Sequence, residues 1–467
     1  MCVLVGACGD DTKPTPIDDT PAPPSVAPAD APELLIVTID TWRFDHTDWS
    51  GLHPAELTPH MAALAERGVI FERAYSPMNQ TLPAHATLFT GLSPREHGAL
   101  ENQYRLHERF DTLAESLTQA GWNTAAFIGA GVLHESTGIA QGFSHWDLPP
   151  ASELEQLGIP ERPASAVSAA ARDWWAAQGD GRPRFAWAHF YDPHAYYRPP
   201  DDALAQVPRA ATDALIAERA PRLEVSVSDL VLANAWHDYA GEVRATDAQV
   251  GALIDTVLSG ERGANTFVVV LSDHGEGLYE HGEASHELTL FENQMRVPLF
   301  VFGPGVRAGE RVATPVELAD VRPTLERLVL RREPTRSAGR DLSPALTGGA
   351  ALGQRPIFLE RPHLAPERVR ARSRSFLNGS IEGGVLAGVV NGTDKLLREP
   401  SGTLRLFDLL EDPGELEDLS SREPERRREL ERLLEAWITR RPTPELGSGA
   451  SADEEHLARL RALGYIK

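Results

Sequence analysis

The chain has 467 residues, of which 42% are hydrophobic, so it can bury the core of a large enzyme domain with a smaller appendage. Its formal charge of -23 makes the surface repel phosphate backbones and anionic lipid headgroups, which argues against nucleic acid as a partner. Cysteines occur only at Cys2 and Cys8, which excludes a cysteine-ligated zinc site or a disulfide in the main body. No apolar run approaches the ~20 residues of a membrane-spanning helix.

The N-terminus is the first region in chain order. Residues 1–8 resemble the truncated end of a bacterial lipoprotein signal, in which small residues precede a lipid-bearing cysteine, here Cys8. Residues 9–32 are rich in proline, aspartate and threonine, a composition that suits an extended tether. We therefore expect an exported protein, periplasmic or anchored to a membrane only through a lipid on Cys8. The alternative is a disordered start with idle thiols.

Ordered structure is predicted to begin at Glu33 with a buried strand, Leu34 to Ile39, which ends at Asp40. Thr58 and Pro59 are typical of a helix start. Later elements alternate between apolar strands and helical patterns: a helix near Pro83, a helix at 110–120, strands at 124–128, 184–191, 266–272 and 298–302, and a long helix at 229–258.

This alternation predicts an α/β fold with a doubly wound, largely parallel central sheet and helices on both faces. We expect residues 33–350 to form this catalytic domain. Residues 351–467 are predicted to add a small C-terminal subdomain of short antiparallel strands and one charged amphipathic helix. In parallel sheets the ligand site lies beyond the carboxyl ends of the strands. Asp40, Asp192 and Asp273 each follow a predicted strand, so these carboxylates are expected at one edge of the sheet.

Adjacent Asp273 and His274 at a strand end can bind one divalent ion, and Gly275 lets the backbone turn sharply around it. Asp40 offers another carboxylate at a strand end, although aspartate is also common in simple turns. Imidazole is a borderline ligand, which favours zinc or manganese over calcium.

Thr81 is a candidate nucleophile, since it lies just before the helix start predicted at Pro83. The positive end of a helix and its free backbone amides stabilise an anion there. A metal beside the hydroxyl would lower its pKa and activate it. The alternative is that Thr81 only caps the helix.

Histidines supply the remaining candidates. His194 can protonate a leaving group, or bind a second metal together with Asp192. His189, in the strand before them, is expected to be a buried structural histidine. His281 and His286 are candidate contacts for substrate or a second metal, with an exposed loop as the alternative.

The order of these blocks resembles the sulfatase family of the alkaline-phosphatase superfamily. The blocks are Thr81-Leu82-Pro83-Ala84-His85, Asp192-Pro193-His194, Ser272-Asp273-His274-Gly275-Glu276, Arg296-Val297-Pro298-Leu299, Leu406-Phe407-Asp408-Leu409 and the closing Leu463-Gly464-Tyr465. The resemblance implies an alkaline-phosphatase-like fold, with Asp40, Thr81, Asp273 and His274 around a divalent metal. It also implies Thr81 as the metal-bound nucleophile and His194 as the proton donor.

The departures from the family concern the nucleophile first. Sulfatases convert a cysteine or serine at the Thr81 position to formylglycine, an aldehyde that a threonine cannot form. The motif's arginine is replaced by His85, which stands among the catalytic candidates for that reason. The second aspartate of the family's Asp-Asp pair is Thr41. A helper lysine expected near residues 129–133 is absent.

A set of Asp, Thr, Asp and His instead resembles the phosphoester branches of the superfamily, including phosphodiesterases and phosphoethanolamine transferases. We therefore expect a hydrolase that cleaves a small anionic phosphoester, phosphodiester or sulfate ester through Thr81 on a divalent metal. Zinc or manganese is favoured over calcium. The alternatives are a sulfuric ester hydrolase that works without formylglycine and a non-catalytic surface binding protein.

Overall fold

The fold was derived from a computed structural model of the chain, which describes residues 26–148, 161–219, 229–335, 337–364, 384–441 and 457. Cys8 and the closing Leu463-Gly464-Tyr465 lie outside the described residues, so the expectations attached to them stay predictions. Within the described ranges, no helix has the length and apolar character needed to cross a membrane.

The strands include those predicted from the apolar runs, together with several short strands that were not predicted. They are β1 (Glu33–Ile39), β2 (Val69–Phe71), β3 (Ala74–Tyr75), β4 (Asn123–Ile128), β5 (His145–Asp147), β6 (Arg184–Phe190), β7 (Thr266–Ser272), β8 (Arg296–Val297), β9 (Leu299–Phe302), β10 (Glu310–Val312), β11 (Val316–Glu317), β12 (Ile357–Leu364), β13 (Gly384–Asn391), β14 (Asp394–Arg398) and β15 (Leu404–Asp408).

Helices lie between these strands. They are α1 (Pro59–Ala65), α2 (Thr81–Thr90), α3 (Pro94–His97), α4 (Leu113–Gln119), α5 (Ala164–Ala177), α6 (Asp201–Leu204), α7 (Arg209–Arg219), α8 (Asp229–Ser259), α9 (Glu292–Met295), α10 (Val321–Leu328), α11 (Ser343–Thr347) and α12 (Pro424–Arg440).

The central sheet has eight strands in the order β10-β2-β9-β7-β1-β6-β4-β5. Strand β1 lies in its middle and pairs in parallel with both β6 and β7. Only β9 runs antiparallel to its neighbours in this sheet. Side chains of β1 alternate between the apolar clusters on the two faces: Leu34 and Ile36 belong to one, Leu35 and Val37 to the other. Both faces are therefore covered, and the predicted doubly wound, largely parallel sheet is confirmed.

Two helix starts differ from the prediction. Helix α2 begins at Thr81, so this residue belongs to the first turn and does not precede it. Helix α4 is shorter than the predicted 110–120, because the Thr112 hydroxyl accepts a hydrogen bond from the Glu115 amide and sets the start there. The hydroxyl of Thr58 accepts from the Asp48 amide at 2.9 Å and does not cap α1.

The predicted C-terminal antiparallel sheet is present, in the order β12-β13-β14-β15. One of its faces packs against α12 through Leu430, Leu434 and Trp437. Its other face shares an apolar cluster with the loops of the larger domain, including Phe291. The buried Lys395 on β14 adds a salt bridge between the C-terminal sheet and the larger domain. Its ammonium lies 3.1 Å from a carboxylate oxygen of Glu292 at the start of α9.

Candidate active site

The carboxyl ends of β1 and β7 place the first three candidate residues together. Ile39 at the end of β1 is paired with Ser272 at the end of β7. Asp40 and Asp273 follow directly, so the two carboxylates meet at one edge of the sheet, as the strand pattern predicts. His274 continues from Asp273, and the Asp273 carboxylate accepts a hydrogen bond from the His274 amide at 2.8 Å.

Thr81 reaches this cluster from the first turn of α2. Its hydroxyl donates to Oδ2 of Asp40 at 3.3 Å. His274 Nε2 lies 3.9 Å from Asp40 Oδ1 and 3.5 Å from Asp273 Oδ2. Ligand atoms of Asp40, Asp273 and His274 all lie within 4.8 Å of one another. All of these side chains are buried. The distances show that Asp40, Thr81, Asp273 and His274, which the family resemblance groups around a cation, are neighbours.

Three atoms of the cluster are buried and have no hydrogen-bond partner in the part of the chain that the structure describes. They are Oδ1 of Asp40, Oδ2 of Asp273 and Nε2 of His274. Leaving one such group unsatisfied costs about 1–3 kcal/mol, and such groups are rare in folded proteins. Two carboxylate oxygens and one imidazole nitrogen that converge in this way fit a divalent cation.

Burial and mutual repulsion shift the pKa values of these groups. Burial raises the pKa of Asp40 to about 7, against the opposing effect of His274. Burial, and then the charge of Asp40, raise the pKa of Asp273. Burial acts to lower the pKa of His274, but the neighbouring Asp273 and Asp40 outweigh it and raise that pKa. A positive ion would relieve this crowding of negative charge.

His85 lies behind Thr81 and is held by a chain of hydrogen bonds. Its Nδ1 donates to the Thr81 carbonyl at 2.7 Å, since a carbonyl only accepts. Its Nε2 therefore accepts from the Thr38 hydroxyl at 3.0 Å, and Trp187 Nε1 donates to the same hydroxyl oxygen at 2.9 Å. Burial lowers the pKa of His85 to about 3, which keeps the ring neutral. The ring thus fixes the backbone at the candidate nucleophile.

His189 is a site residue that the sequence did not reveal. It is buried, as expected, but neither ring nitrogen has a hydrogen-bond partner among the described residues. Its Nε2 lies 3.5 Å from Oδ2 of Asp40. Ligand atoms of His189, His85 and Asp273 also lie within 4.8 Å of one another. Burial lowers the pKa of His189 to about 4, so the ring is neutral at physiological pH.

His194 and His286 lie in a row of rings that leads away from the cluster. The His286 ring is 4.6 Å from that of His274, and the His194 ring is 5.0 Å from that of His286. His286 Nδ1 is also 3.3 Å from Oε1 of the buried Glu276. Burial lowers the pKa of His194 to about 3, and its Nδ1 donates to the Ala195 carbonyl at 2.6 Å. The neutral ring must take up a proton before it can protonate a leaving group.

Asp192 and His281 contact other parts of the protein than the row of histidine rings. One oxygen of Asp192 accepts a hydrogen bond from the Ala164 amide at the start of α5, at 2.9 Å. Its other oxygen is buried and has no hydrogen-bond partner within the described ranges. The His281 ring stacks on Phe291, with 3.6 Å between ring centroids. Among the described residues, the groups able to hold a metal include neither Asp192, His281 nor His286. The roles of Asp192, His281 and His286 in binding a second metal or substrate therefore stay predictions.

Comparisons with known proteins identify the family to which the chain belongs. The family model described as Sulfatase matches residues 32–329. A Delta 4,5-hexuronate-2-O-sulfatase from Bacteroides thetaiotaomicron is 23% identical over 428 residues, which cover 81% of this chain and 82% of that protein. The phosphonate monoester hydrolase of Agrobacterium radiobacter superposes with a TM-score of 0.71 at 23% identity, covering 90% of this chain and 100% of that one.

A third protein, solved in complex with its substrate D-glucosamine-2-N,6-O-disulfate, also has a TM-score of 0.71, at 19% identity, and covers 89% of this chain and 99% of that one. The matched family segment spans more than half of this chain and contains β1, α2 and β7, which carry Asp40, Thr81 and Asp273. The chain therefore belongs to the sulfatase family, whose members are metal-dependent hydrolases of ester bonds.

Proposed function

We propose that this protein hydrolyses a small anionic phosphoester or phosphodiester, with Thr81 as the nucleophile. One observation carries the proposal: the Thr81 hydroxyl lies 3.3 Å from Asp40, beside three buried ligand atoms that have no hydrogen-bond partner among the residues described by the structure. Asp40, Thr81, Asp273 and His274 would hold a divalent cation. Such a cation would lower the pKa of the threonine hydroxyl and neutralise charge on the non-bridging ester oxygens.

The threonine side chain supports phosphorus over sulfur as the reacting atom. A hydrated formylglycine releases sulfate by collapsing to an aldehyde, and threonine has no equivalent route because its extra methyl would leave a ketone. A phosphothreonine can be released by water that attacks phosphorus. The phosphonate monoester hydrolase that shares this fold gives a precedent for an ester of phosphorus on the same scaffold.

In the proposed reaction, the Thr81 oxygen bonds to phosphorus while the bond between phosphorus and the leaving oxygen breaks. The hydroxyl proton leaves along its hydrogen bond to Asp40 Oδ2. His194, once protonated by solvent water, would give a proton to the leaving oxygen. Water then attacks phosphorus and gives a proton to the neutral His194 ring while the bond to Thr81 breaks, and Asp40 returns its proton to the threonine oxygen. The start of α2 places Thr81 at the positive end of a helix, which favours the anionic form of the oxygen.

The imidazole in the ligand set supports zinc or manganese over calcium, because calcium prefers an all-oxygen shell. The second candidate function is hydrolysis of a sulfate ester without formylglycine. It is favoured by the hexuronate sulfatase that matches 81% of the chain. The third candidate, a non-catalytic binding protein, is disfavoured because a site released from catalysis has no reason to keep converging ligand atoms buried at an energetic cost.

A paired substrate assay tests the proposal. The protein is stripped of metal with a chelator, reloaded with zinc, manganese or calcium, and offered 4-nitrophenyl esters of a phosphate diester, a phosphonate and a sulfate. We expect kcat/KM for a phosphorus ester to exceed that for the sulfate by at least about a hundredfold, roughly 2.7 kcal/mol in transition-state stabilisation. Turnover of the sulfate alone would establish the second candidate. Tight metal binding with no turnover of any ester would support the binding protein.

A further inference from the structure

Gln80, the residue before the candidate nucleophile, carries a buried amide group that lacks an acceptor. Its side chain is 1% exposed. Its Oε1 accepts a hydrogen bond from the Asn102 backbone amide at 3.1 Å. Because a backbone amide only donates, this contact distinguishes the oxygen of the carboxamide from its nitrogen. The nitrogen, Nε2, is buried and has no hydrogen-bond partner among the residues that the structure describes.

The chemistry of Nε2 defines the kind of partner it needs. A carboxamide nitrogen carries two N–H donors and does not accept hydrogen bonds. Leaving a buried donor unsatisfied costs about 1–3 kcal/mol, and each such group in a folded protein calls for an explanation. The partner of Nε2 must therefore be an acceptor such as an oxygen atom, and a metal ion cannot take its place.

The hydrogen bonds of Asn102 hold this carboxamide at the start of α2. The Asn102 side chain accepts from the Leu82 amide at 2.9 Å, while the Asn102 backbone donates to Gln80. Asn102 thus connects the two residues that flank Thr81. Helix α2 has 10 residues, and Gln80 directly precedes its first turn. The dipole of the helix favours an anion at this end, so the unpaired donors lie where an anionic group is stabilised.

The proposed reaction needs a donor beside the nucleophile. A phosphodiester group has two non-bridging oxygens, and one cation neutralises charge mainly on the oxygen nearest to it. The family's arginine is replaced by His85, whose two nitrogens are engaged by the Thr81 carbonyl and the Thr38 hydroxyl. Residues 14–394 contain no lysine that could act as the family's helper. The other non-bridging oxygen therefore needs a donor from a different residue.

We propose that Gln80 is a further catalytic residue, whose Nε2 donates a hydrogen bond to a non-bridging oxygen of the ester while Thr81 attacks. The inference rests on the proposed function and extends it, because the cation and Gln80 would stabilise different oxygens of the same group. A buried donor that is already held in place acts most strongly as charge develops in the transition state.

The test compares Gln80→Met with the parent in the binding of inorganic phosphate and of sulfate to the zinc-loaded protein, measured by calorimetry. Methionine has a similar length and no N–H donor. The affinity for the anion that the parent binds should fall about tenfold, and kcat on the best ester should fall at least about a hundredfold. The metal-free variant should melt within about 2 °C of the parent, because loss of the bond to Asn102 and removal of the unpaired amide offset each other.

A phosphorothioate substrate separates direct contact from an indirect effect of Gln80. Sulfur is a weak hydrogen-bond acceptor, so it weakens the bond to Nε2 when it replaces the contacted oxygen. We compare the two enantiomers of methyl 4-nitrophenyl phosphorothioate with the all-oxygen ester. In Gln80→Met, the slowing caused by sulfur should shrink about tenfold for one enantiomer and stay unchanged for the other. An unchanged effect of sulfur for both enantiomers would overturn the inference, because Gln80 would then act only through Asn102 or through packing.

The control and the parent protein keep the possible failures distinct. Gln141→Met removes a carboxamide whose Nε2 donates to the Gly138 carbonyl at 2.6 Å, and it should leave anion binding unchanged. If Gln80→Met binds the anion as tightly as the parent, the role of Gln80 is refuted while the proposed function stands. If the parent turns over only the sulfate ester, the phosphorus chemistry is refuted, and weaker sulfate binding by Gln80→Met would still support the contact. A parent that binds neither anion and turns over no ester would refute both.

Discussion

Thr81 and Asp40 come from different elements, and their side chains meet in a single hydrogen bond of 3.3 Å between hydroxyl and carboxylate. Asp40 ends the middle strand of the sheet, while Thr81 opens a buried helix that packs over the sheet. A rigid strand end and a helix start hold the two groups, so their distance does not depend on a mobile loop. This precision matters because a displacement of about 1 Å can cost a hundredfold in rate.

Replacing Thr81 by alanine is expected to abolish turnover and leave the fold intact. The change removes the attacking oxygen, and loss of a nucleophile lowers kcat by roughly a thousandfold or more. Only one hydrogen bond is lost, so the free energy of unfolding should fall by about 1 kcal/mol. The measurements are kcat on the best ester substrate and the melting temperature. The matched control is Thr90→Ala on the same helix, whose hydroxyl donates to the Ala86 carbonyl and does not face the cluster. Full activity of Thr81→Ala would refute the nucleophile assignment.

Asp273→Asn is expected to reduce metal occupancy. The substitution keeps the size of the side chain and removes one negative charge from the ligand cluster, and a neutral amide is a weaker ligand than a carboxylate. Metal content after extensive dialysis, measured by elemental analysis, reports the effect. Asp247→Asn provides a buried carboxylate control, because Asp247 accepts hydrogen bonds from the backbone of α1. Equal metal content in Asp273→Asn and the parent would remove Asp273 from the ligand set.

The contribution of Asp40 to the stability of the metal-free protein is expected to be lost as pH rises. Burial raises the pKa of Asp40 from 3.8 to about 7. A group whose pKa is raised by folding stabilises the folded state below its unfolded pKa, and this contribution is lost as pH rises through the folded value. The window for Asp40 therefore runs from about pH 4 to about pH 7, and the shift of Asp273 acts in the same direction. The lowered pKa values of His85, His189 and His194 act in the opposite direction. The measurement is therefore the melting temperature of the parent minus that of Asp40→Asn, both with chelator, and this difference should fall across the window.

Added zinc should reverse this trend, because the cation binds the charged carboxylates. The gain in melting temperature on adding zinc is therefore expected to grow between pH 5 and pH 7. A metal-free difference between the parent and Asp40→Asn that rises over the same range would contradict the shift assigned to Asp40.

Lys395→Met is expected to destabilise the attachment of the C-terminal sheet. The ammonium of Lys395 is buried and lies 3.1 Å from Glu292 and 2.8 Å from Glu415. Removing it leaves two buried carboxyl groups without their cation, and breaking such an arrangement typically costs about 3–5 kcal/mol. Chemical denaturation measures the loss. The triple variant Lys395→Met with Glu292→Gln and Glu415→Gln should recover most of it, whereas no recovery would show that packing and not charge is responsible.

Much of the site could be predicted because adjacency in the chain ensures adjacency in space. Asp273 and His274 are consecutive after a strand, and Asp40 ends another apolar run, so their meeting follows from a parallel sheet. The start of α2 was also predictable from Pro83, with a difference of two residues in where the helix begins. The surroundings of His281 could not be predicted, because a loop residue carries no periodic signal; its ring stacks on Phe291.

The sequence by itself determined the alternation of strands and helices and the family. It also identified Asp40, Thr81, Asp273 and His274 as the residues that the family motifs mark. Buried apolar runs and the order of polar blocks are local properties of the chain, so they can be read without coordinates. Only the tertiary structure decided that His189 lies beside Asp40 and that His85 forms hydrogen bonds with Thr81 and Thr38. The reason is that strand register and ring orientation depend on packing between segments far apart in the chain, and a buried nitrogen reveals a missing partner only once its neighbours are known.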